Sequence, residues 1–143
     1  MLSREYDKYI LEIVPDLTEW YEGNGDTLIS YEKYMDAKIS KGEAFMAVTE
    51  ENDCCGIIAI SIKNNRISFF GISEKHNFKK AGEMLLKHAL SMFDTESDII
   101  SNIIDSNAKP FQMQFELFIK HGFIFSHNGF EHGVPIKCMV RRK

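Results

Sequence analysis

A change of hydrophobic period in the middle of the chain constrains the fold more than any other feature of the sequence. β-rich residues run through Ile67–Ile72, and apolar residues then recur at helical spacing from about Lys79 to Phe93. Another strand is predicted over Asp98–Ile104. Two strands joined by a helix form a βαβ crossover, so we expect these two strands to be parallel.

Two more strands are predicted ahead of this crossover, at Ala44–Thr49 and Gly56–Ile62. Polar turns separate the segments, and Asn64–Asn65 is a hairpin signal because asparagine tolerates a positive φ. The three strands up to Ile72 therefore predict an antiparallel meander.

A helix and a closing pair of strands are predicted after the crossover. Pro110 opens the helix and Gly122 ends it, which are the usual positions of proline and glycine at helix ends. The closing strands are predicted at Phe123–Phe125 and Ile136–Val140, with turns at Asn128–Gly129 and Gly133.

The start of the chain is predicted to be helical. One short helix is expected over Asp16–Tyr21 and another over Tyr31–Lys41, with Ser30 as its N-cap and Gly42 as its stop. The whole order of elements is helices, three strands, helix, strand, helix and two strands.

The length of 143 residues is enough for one domain with a real core. We expect a single domain over 1–143, with a helical region at 1–43 and a core at 44–143. Its class is α+β in three layers: a mixed, mostly antiparallel sheet with a central parallel crossover, flanked by helices.

Composition excludes several classes of protein. The net charge of −4 lacks the basic field that nucleic-acid binders carry, so no nucleic-acid partner is expected. No run of about 18 apolar residues or signal peptide is recognisable, so neither a membrane partner nor export is expected. The three cysteines, Cys54, Cys55 and Cys138, lack metal-ligand spacing and are expected to be buried thiols in the cytoplasm, with no metal.

The loop between Ile72 and the following helix is where a ligand is expected, because ligands lie beyond the carboxyl ends of strands in such sheets. Free N–H groups and the helix dipole make the helix N-terminus a site for anions. Lys75, Lys79 and Lys80 add positive charge, and Gly82 allows close backbone approach. Solvated lysines at a helix start give the same pattern, so the loop alone indicates only an anion site.

Two segments resemble signatures of the GNAT family, the Gcn5-related N-acetyltransferases. Phe70–Glu74 followed by Asn77–Leu86 resembles the family's central motif, Gln/Arg-x-x-Gly-x-Gly/Ala ahead of a leucine-rich helix. Phe118–Phe123 resembles its Tyr-x-Lys-x-Gly-Phe exit from helix to strand. The resemblance covers about Ala44–Val140, with the helical N-terminus as the variable acceptor side.

The resemblance implies a GNAT-like acyl-CoA N-acyltransferase fold and an N-acetyltransferase that moves an acetyl group from acetyl-CoA to a primary amine by direct attack. The acceptor is a small-molecule or peptide amine. The pyrophosphate would lie on the amides of Phe78–Glu83, and the pantetheine arm beside the edge of a strand that splays from its parallel neighbour. The cofactor-binding residues so implied are Phe70, Ile72, Asn77, Phe78, Lys79, Lys80, Ala81, Gly82, Glu83, Asn107 and Phe118.

Three positions depart from the family pattern. Asn77 stands where glutamine or arginine is usual, and Lys80 replaces the first glycine. Phe118 replaces the tyrosine that protonates the leaving thiolate, and phenylalanine has no proton to donate. Another donor or water could serve instead; the alternative is a weak or inactive GNAT-fold module that binds acyl-CoA or a partner without turnover.

No catalytic residue is assigned. His121 is one candidate donor, and the competing interpretation is an exposed histidine that interacts with the helix C-terminal dipole. Ile67–Ile72 contains no carboxylate that could act as the general base. The remaining acids, each of which also fits a solvated surface residue, are Glu19, Glu22, Glu32, Asp105 and Glu116.

The remaining features are expected to be structural. Phe111, Phe115 and Phe118 are predicted to be core, His88 to lie at the core edge, and the tail Arg141–Lys143 to be solvated. Exposed strands near the C-terminus could pair in a homodimer. The aromatic residues of the N-terminal helices, which fit either packing or an acceptor wall, are Trp20, Tyr21, Tyr31 and Tyr34.

Overall fold

The computed structural model describes residues 37–48, 54–72, 78–94, 96–131 and 133–143. The predicted helices of the first 36 residues lie outside these ranges, except that residues 37–40, the end of the helix predicted over Tyr31–Lys41, are helical and are followed by Gly42 with a φ of 70°. The loop 73–77 with Lys75 and Asn77 also lies outside. The predicted residues of the N-terminal region that also lie outside are Glu19, Trp20, Tyr21, Glu22, Tyr31, Glu32 and Tyr34.

The described residues form one mixed sheet of six strands in the order β1-β2-β3-β4-β6-β5. Every strand and helix predicted for residues 44–143 is present, in the predicted order. The strands are β1 Ala44–Val48, β2 Cys54–Ser61, β3 Arg66–Ile72, β4 Ile99–Ile104, β5 Phe123–Glu131 and β6 Val134–Arg141, and the helices are α1 Phe78–Met92 and α2 Lys109–Lys120.

Local sequence signals account for most element ends. Asn65 has a φ of 49° in the β2–β3 turn, as the Asn64–Asn65 signal predicts. Pro110 lies in the first turn of α2, and Gly122, with a φ of 93°, follows its C-cap His121.

The predicted turn at Asn128–Gly129 is wrong. Both residues lie inside β5, where Asn128 pairs with Lys137 and Gly129 pairs with Ile136. The predicted turn at Gly133 is present, and its φ of 77° is one that only glycine adopts readily. A bulge between Phe125 and His127 shifts the register and lets the ladder continue to Glu131.

Both helices pack on one face of the sheet. Leu86 of α1 and Phe118 of α2 are fully buried in one core cluster with the strand residues Ile58, Ile67 and Met139. A second cluster on the opposite face contains Ile136, Cys138 and Val140, with Ile100 packed against it. The alternation of Met139 with its two neighbours follows from the period of two along β6.

The expectation of buried thiols is confirmed for Cys55 and Cys138, which are both free and buried. Burial raises the pKa of the Cys55 thiol, so that the neutral form is favoured. Among the helices of the described ranges, none has both the length and the apolar character needed to cross a membrane.

A buried ion pair fixes the start of β1 to the end of β2. The Lys38 ammonium lies 3.3 Å from Oε1 of Glu43 and donates a hydrogen bond to the Ile60 carbonyl. Oε2 of Glu43 accepts a hydrogen bond of 2.7 Å from the Ile62 amide. Burial raises the pKa of Glu43, but the Ile62 and Lys38 hydrogen bonds outweigh it and hold the pKa below its usual value.

Arg142 and Lys143 of the C-terminal tail are exposed, as predicted for a solvated end, but hydrogen bonds also tie the tail to the sheet. Arg142 donates from Nη1 to Asp98 at 2.9 Å, and the Lys143 amide donates to the same carboxylate at 3.0 Å. Nε of Arg141 donates to the His121 carbonyl at 3.0 Å. Because β6 lies between β4 and β5, its end is close to both partners.

Candidate functional site

The parallel strands β3 and β4 part after two residue pairs, Arg66–Ile100 and Ile67–Ser101. The crossover prediction is confirmed, and β3 then continues to Ile72 while β4 continues to Ile104 without further pairing between them. We call the opening between residues 68–72 and residues 102–104 the wedge.

Ser101 closes the narrow end of the wedge. Its side chain is 1% exposed, and its hydroxyl donates to the Ile67 carbonyl at 3.4 Å. Beside it, the Ile100 amide donates to the Asn65 carbonyl at 2.9 Å. These bonds fix the point at which the strands separate, and the sequence signal for it is the polar pair Ser101–Asn102 within a run of isoleucines.

Aromatic side chains lie where β3 faces α2. The Phe118 ring is fully buried, with its centroid 5.4 Å from that of Phe70 and 4.9 Å from that of Phe123. Core packing is therefore confirmed for Phe118. Phe115 is half-buried and packs against the same core cluster, whereas Phe111 is half-buried outside it. Both rings line an open cavity of about 230 Å³ beside Lys137.

The N-terminus of α1 follows the C-terminal end of β3 along the chain. Its first turn contains no acidic residue, and Lys79 and Lys80 are exposed there. Ala81 and Gly82 are buried against the sheet. With its N-terminal N–H groups, its dipole and two lysines, this helix end favours an anion.

A groove of about 380 Å³ separates α1 from α2 and begins at Lys79. Glu83, which lies along it, forms a short ion pair with Lys120. The hydrogen bond from Lys120 holds the pKa of Glu83 below its usual value, so its carboxylate is ionised at neutral pH. Glu83, predicted as part of the pyrophosphate-binding turn, therefore links the two helices through its side chain.

His121 is largely buried, so the interpretation as an exposed helix-end histidine is wrong. Its side chain is 14% exposed, and its Nε2 atom lies 3.9 Å from Oε1 of Glu83. Nε2 is buried and makes no hydrogen bond to any residue in the described ranges. Burial lowers the pKa of His121, and Glu83 opposes this only in part. The backbone of residue 121 caps α2, and its imidazole lies beside Glu83 of α1.

Of the other candidates, Asp105 and Asn107 lie before the start of α2, and Glu116 lies within it. Asp105 and Asn107 are exposed between β4 and α2, and Asp105 lies 3.8 Å from the Lys137 ammonium. Glu116 is exposed on α2, where it lines both the cavity beside Lys137 and the groove between α1 and α2. Because α2 has twelve residues and is about 18 Å long, the structure does not bring His121 together with Asp105.

Two side-chain placements could not be read from the sequence. Lys137 lies 4.8 Å from the centre of the Phe115 ring, a cation–π contact that needs the β6 register to be known. His88, predicted at the core edge, is exposed, and its ring meets the Phe45 ring edge-on at 4.5 Å.

Solved structures of similar fold come from several organisms. A GNAT-family acetyltransferase from Bacillus cereus is 21% identical, with 92% of this chain and 93% of that chain covered and a TM-score of 0.63. Arabidopsis thaliana Naa50, in complex with the bisubstrate analogue CoA-Ac-MVNAL, is 19% identical over 78% of this chain and 80% of that chain, with a TM-score of 0.62. The protein yncA from Salmonella typhimurium, with its cofactor acetyl-CoA, is 13% identical over 80% and 73%, with a TM-score of 0.59.

These identities are low, so the structural similarity demonstrates the fold alone. No curated protein sequence matches the chain. The profile of the acetyltransferase (GNAT) domain matches residues 18–141, which is most of the sequence. The chain therefore belongs to the GNAT acetyltransferase family.

Proposed function

We propose that this protein is an N-acetyltransferase that uses acetyl-CoA and a primary amine as its substrates. The observation that carries the proposal is the wedge: β3 and β4 part after the Ile67–Ser101 pair, and an N-terminus favourable to anions follows β3. The wedge fits an extended arm, and the helix N-terminus fits a diphosphate.

The hydrogen-bond donors and positive charges around the wedge suit such a ligand. The amides of residues 78–83 would bind the pyrophosphate, helped by the charges of Lys79 and Lys80. The β3 backbone at Phe70 and Ile72 would line the pantetheine arm, and Asn107 at the start of α2 would approach it from the other strand. Asn77 would lie just ahead of the first turn.

Acetyl-CoA supplies the acetyl group as a thioester, which a free amine can attack directly. In the overall transfer a C–N bond forms, the C–S bond breaks, the amine loses a proton and the thiolate gains one. The role of the chain is to hold the two substrates in reach, and positioning alone can supply a large part of the rate. No acyl-enzyme is needed, so no nucleophilic side chain is required.

Proton transfer is the step for which this site offers the fewest suitable side chains. Phe118 has no hydroxyl, and the rings of Phe70 and Phe123 around it are apolar. His121 faces Glu83 and stays a candidate donor. The exposed acids Asp105, before α2, and Glu116, within α2, stay candidate bases. We infer that solvent serves as the donor, which makes turnover slow rather than absent.

A second function is favoured by the same buried phenylalanine. A GNAT-fold module that binds acyl-CoA without turnover needs the wedge and the α1 N-terminus but no proton donor. The fold does not decide between the two functions, because chemistry depends on the site and not on the architecture.

The acceptor is proposed as a small-molecule or peptide amine. Naa50 with its CoA-peptide analogue is a structural neighbour, which makes peptides worth including among the acceptors tested. The free thiols Cys55 and Cys138 suit a reducing compartment, and we propose the cytoplasm.

Two measurements test the proposal together. Differential scanning fluorimetry with acetyl-CoA measures binding, and a thiol-release assay with a panel of polyamines, amino acids, aminoglycosides and short peptides measures transfer. A raised melting temperature with amine-dependent thiol release is the expected result. A raised melting temperature without release for any amine supports the binding module, and no change in melting with acetyl-CoA contradicts both functions.

A further inference from the structure

The outer edge of β5 is long, apolar and without charge. β5 is the last strand in the sheet order, so its only strand neighbour in the described part of the chain is β6. Three of its large side chains are exposed: Ile124 at 49%, Phe125 at 43% and Phe130 at 78%. Residues 123–130 contain no Asp, Glu, Lys, Arg or Pro.

Natural proteins protect exposed strand edges with lysine, proline, shortness or a cover. The other edge of this sheet follows that rule, since β1 has only five residues, of which all but Val48 are buried or half-buried. β5 has nine residues, and its protection in the described structure is limited to the bulge at Ser126. The edge therefore has the features of a pairing surface.

We propose that two copies of this chain pair through β5, antiparallel across a two-fold axis, and so join their sheets into one. A two-fold interface brings a surface against itself, which is unfavourable where that surface is charged. The neutral stretch 123–130 meets its own copy without like-charge repulsion. The charge of Glu131 at its end is engaged by Asn102 at 2.8 Å and by Arg66 at 3.8 Å.

The bulge selects a register for this pairing. Ile124 and Gly129 lie on one face of β5, opposite Val140 and Ile136 of β6. Phe125 and Asn128 lie on the other face, opposite Met139 and Lys137. Directly opposed residues must share a face.

The register that satisfies this rule on both sides of the bulge places Ile124 of each copy opposite Gly129 of the other. It also places Phe125 opposite Asn128, with the axis between Ser126 and His127. Each exposed apolar side chain then faces a small or uncharged neighbour across the interface, an arrangement compatible with cross-strand packing.

Charge substitutions at the axis test the proposal. Ser126 is exposed, and its hydroxyl contacts only the His127 ring in the described structure, at 3.0 Å, so its replacement leaves the core unchanged. Ser126→Lys and Ser126→Asp would each bring two like charges together at the axis. Asn64→Lys and Asn64→Asp, in the exposed β2–β3 turn, are the matched controls.

Sedimentation equilibrium of the full chain, each variant alone and both mixed, is the measurement, with circular dichroism to check folding. We expect the wild-type chain and the Asn64 variants to have twice the mass of the 16.5 kDa chain. Each Ser126 variant alone should weaken dimerisation by about tenfold or more, and an equal mixture should restore it.

Three results would overturn the pairing. They are a wild-type chain that stays monomeric at all concentrations reached, Ser126 variants that dimerise as well as wild type, and a mixture that does not recover the dimer. The assay does not use acetyl-CoA, so its outcome is independent of the proposed activity.

Discussion

Phe118 is the residue on which the interpretation of activity depends most. The family resemblance predicts that it takes the position of a tyrosine, and its ring is enclosed by Phe70 and Phe123. The substitution of phenylalanine for tyrosine removes a proton donor and at the same time avoids burying a hydroxyl without a partner.

Phe118→Tyr should change stability and turnover in opposite directions. A buried hydroxyl among apolar rings should lower the free energy of unfolding without ligand by about 1–3 kcal/mol. If solvent is the present proton donor, the same hydroxyl should raise kcat by about tenfold. Urea unfolding and the thiol-release assay measure the two effects.

Phe123→Tyr is the matched control, because Phe123 is equally buried and lies at the start of β5. It should lose similar stability without gaining turnover. A Phe118→Tyr variant with unchanged or lower kcat would show that protonation of the thiolate does not limit the reaction.

His121 should make the fold sensitive to mild acid. Burial holds its pKa below the usual 6.5 in the folded chain, so the unfolded chain binds more protons as the pH falls through 6.5. Stability should therefore be complete above that pH and decline below it, by at most about 1.4 kcal/mol per pH unit for one proton.

His121→Asn should remove this decline between pH 7 and pH 5, whereas His88→Asn at an exposed site should not. Chemical unfolding at a series of pH values measures it. A second loss of stability is expected at lower pH, where Glu43, with its pKa held below 4.5, becomes protonated. Identical pH profiles for wild type and His121→Asn would contradict the burial of a neutral imidazole.

The placement of these side chains was the least predictable aspect of the site. The sequence places His121 at a helix end, but whether a helix end is exposed depends on its neighbour, here Glu83 on α1. The exposure of the tail was predicted, but its hydrogen bonds to Asp98 were not, because Asp98 is far away in the sequence. Contacts of this kind join distant residues, and local patterns carry no information about them.

The N-terminus of α1 is the element that should contribute most charge to ligand binding. Lys79→Glu reverses one charge in the first turn, where the helix dipole acts, and should weaken acetyl-CoA binding by roughly fivefold to tenfold. Isothermal titration calorimetry at low salt measures the change. The effect should shrink as the salt concentration rises.

Lys87→Glu is the control on the same helix, because Lys87 is exposed two turns further along, beyond the reach of the dipole. Equal losses of affinity for the two variants would mean that only the net charge of the chain matters. Unchanged affinity for Lys79→Glu would contradict a phosphate site at this helix end.

The ion pair between Lys38 and Glu43 should stabilise the β1–β2 edge against unfolding. Glu43→Gln leaves the ammonium buried with fewer partners, and we expect a loss of about 3–5 kcal/mol in the free energy of unfolding. Urea denaturation measures it. The double variant Lys38→Met with Glu43→Gln should recover part of the loss, and no recovery would show that the Ile62 hydrogen bond, not the pair, is the important contact.

Elements were predictable where the hydrophobic period is strong and a cap is present. α1 and α2 combine an apolar face with clear ends, and each is found within two residues of its predicted limits. β5 was predicted too short because Asn128–Gly129 has the composition of a tight turn. The bulge at Ser126, which keeps these residues in the ladder, depends on pairing with β6 and has no local signal.

At the scale of the whole molecule, the separation of β3 from β4 distinguishes this sheet from an ordinary mixed sheet. The crossover could be predicted from the order of elements, and the family resemblance implied the splay. The position of its narrow end could not be predicted, because it depends on the hydrogen bonds of Ser101 and Asn65 across the two strands. The N-terminal acceptor side stays a prediction.

The wedge as the acetyl-CoA site is the central claim, and hydrogen–deuterium exchange with and without acetyl-CoA tests it most directly. We expect slower exchange at residues 68–72 of β3 and 78–83 of α1, with little change in β1 and β5. Protection confined to other regions, or none at saturating acetyl-CoA, would contradict the claim.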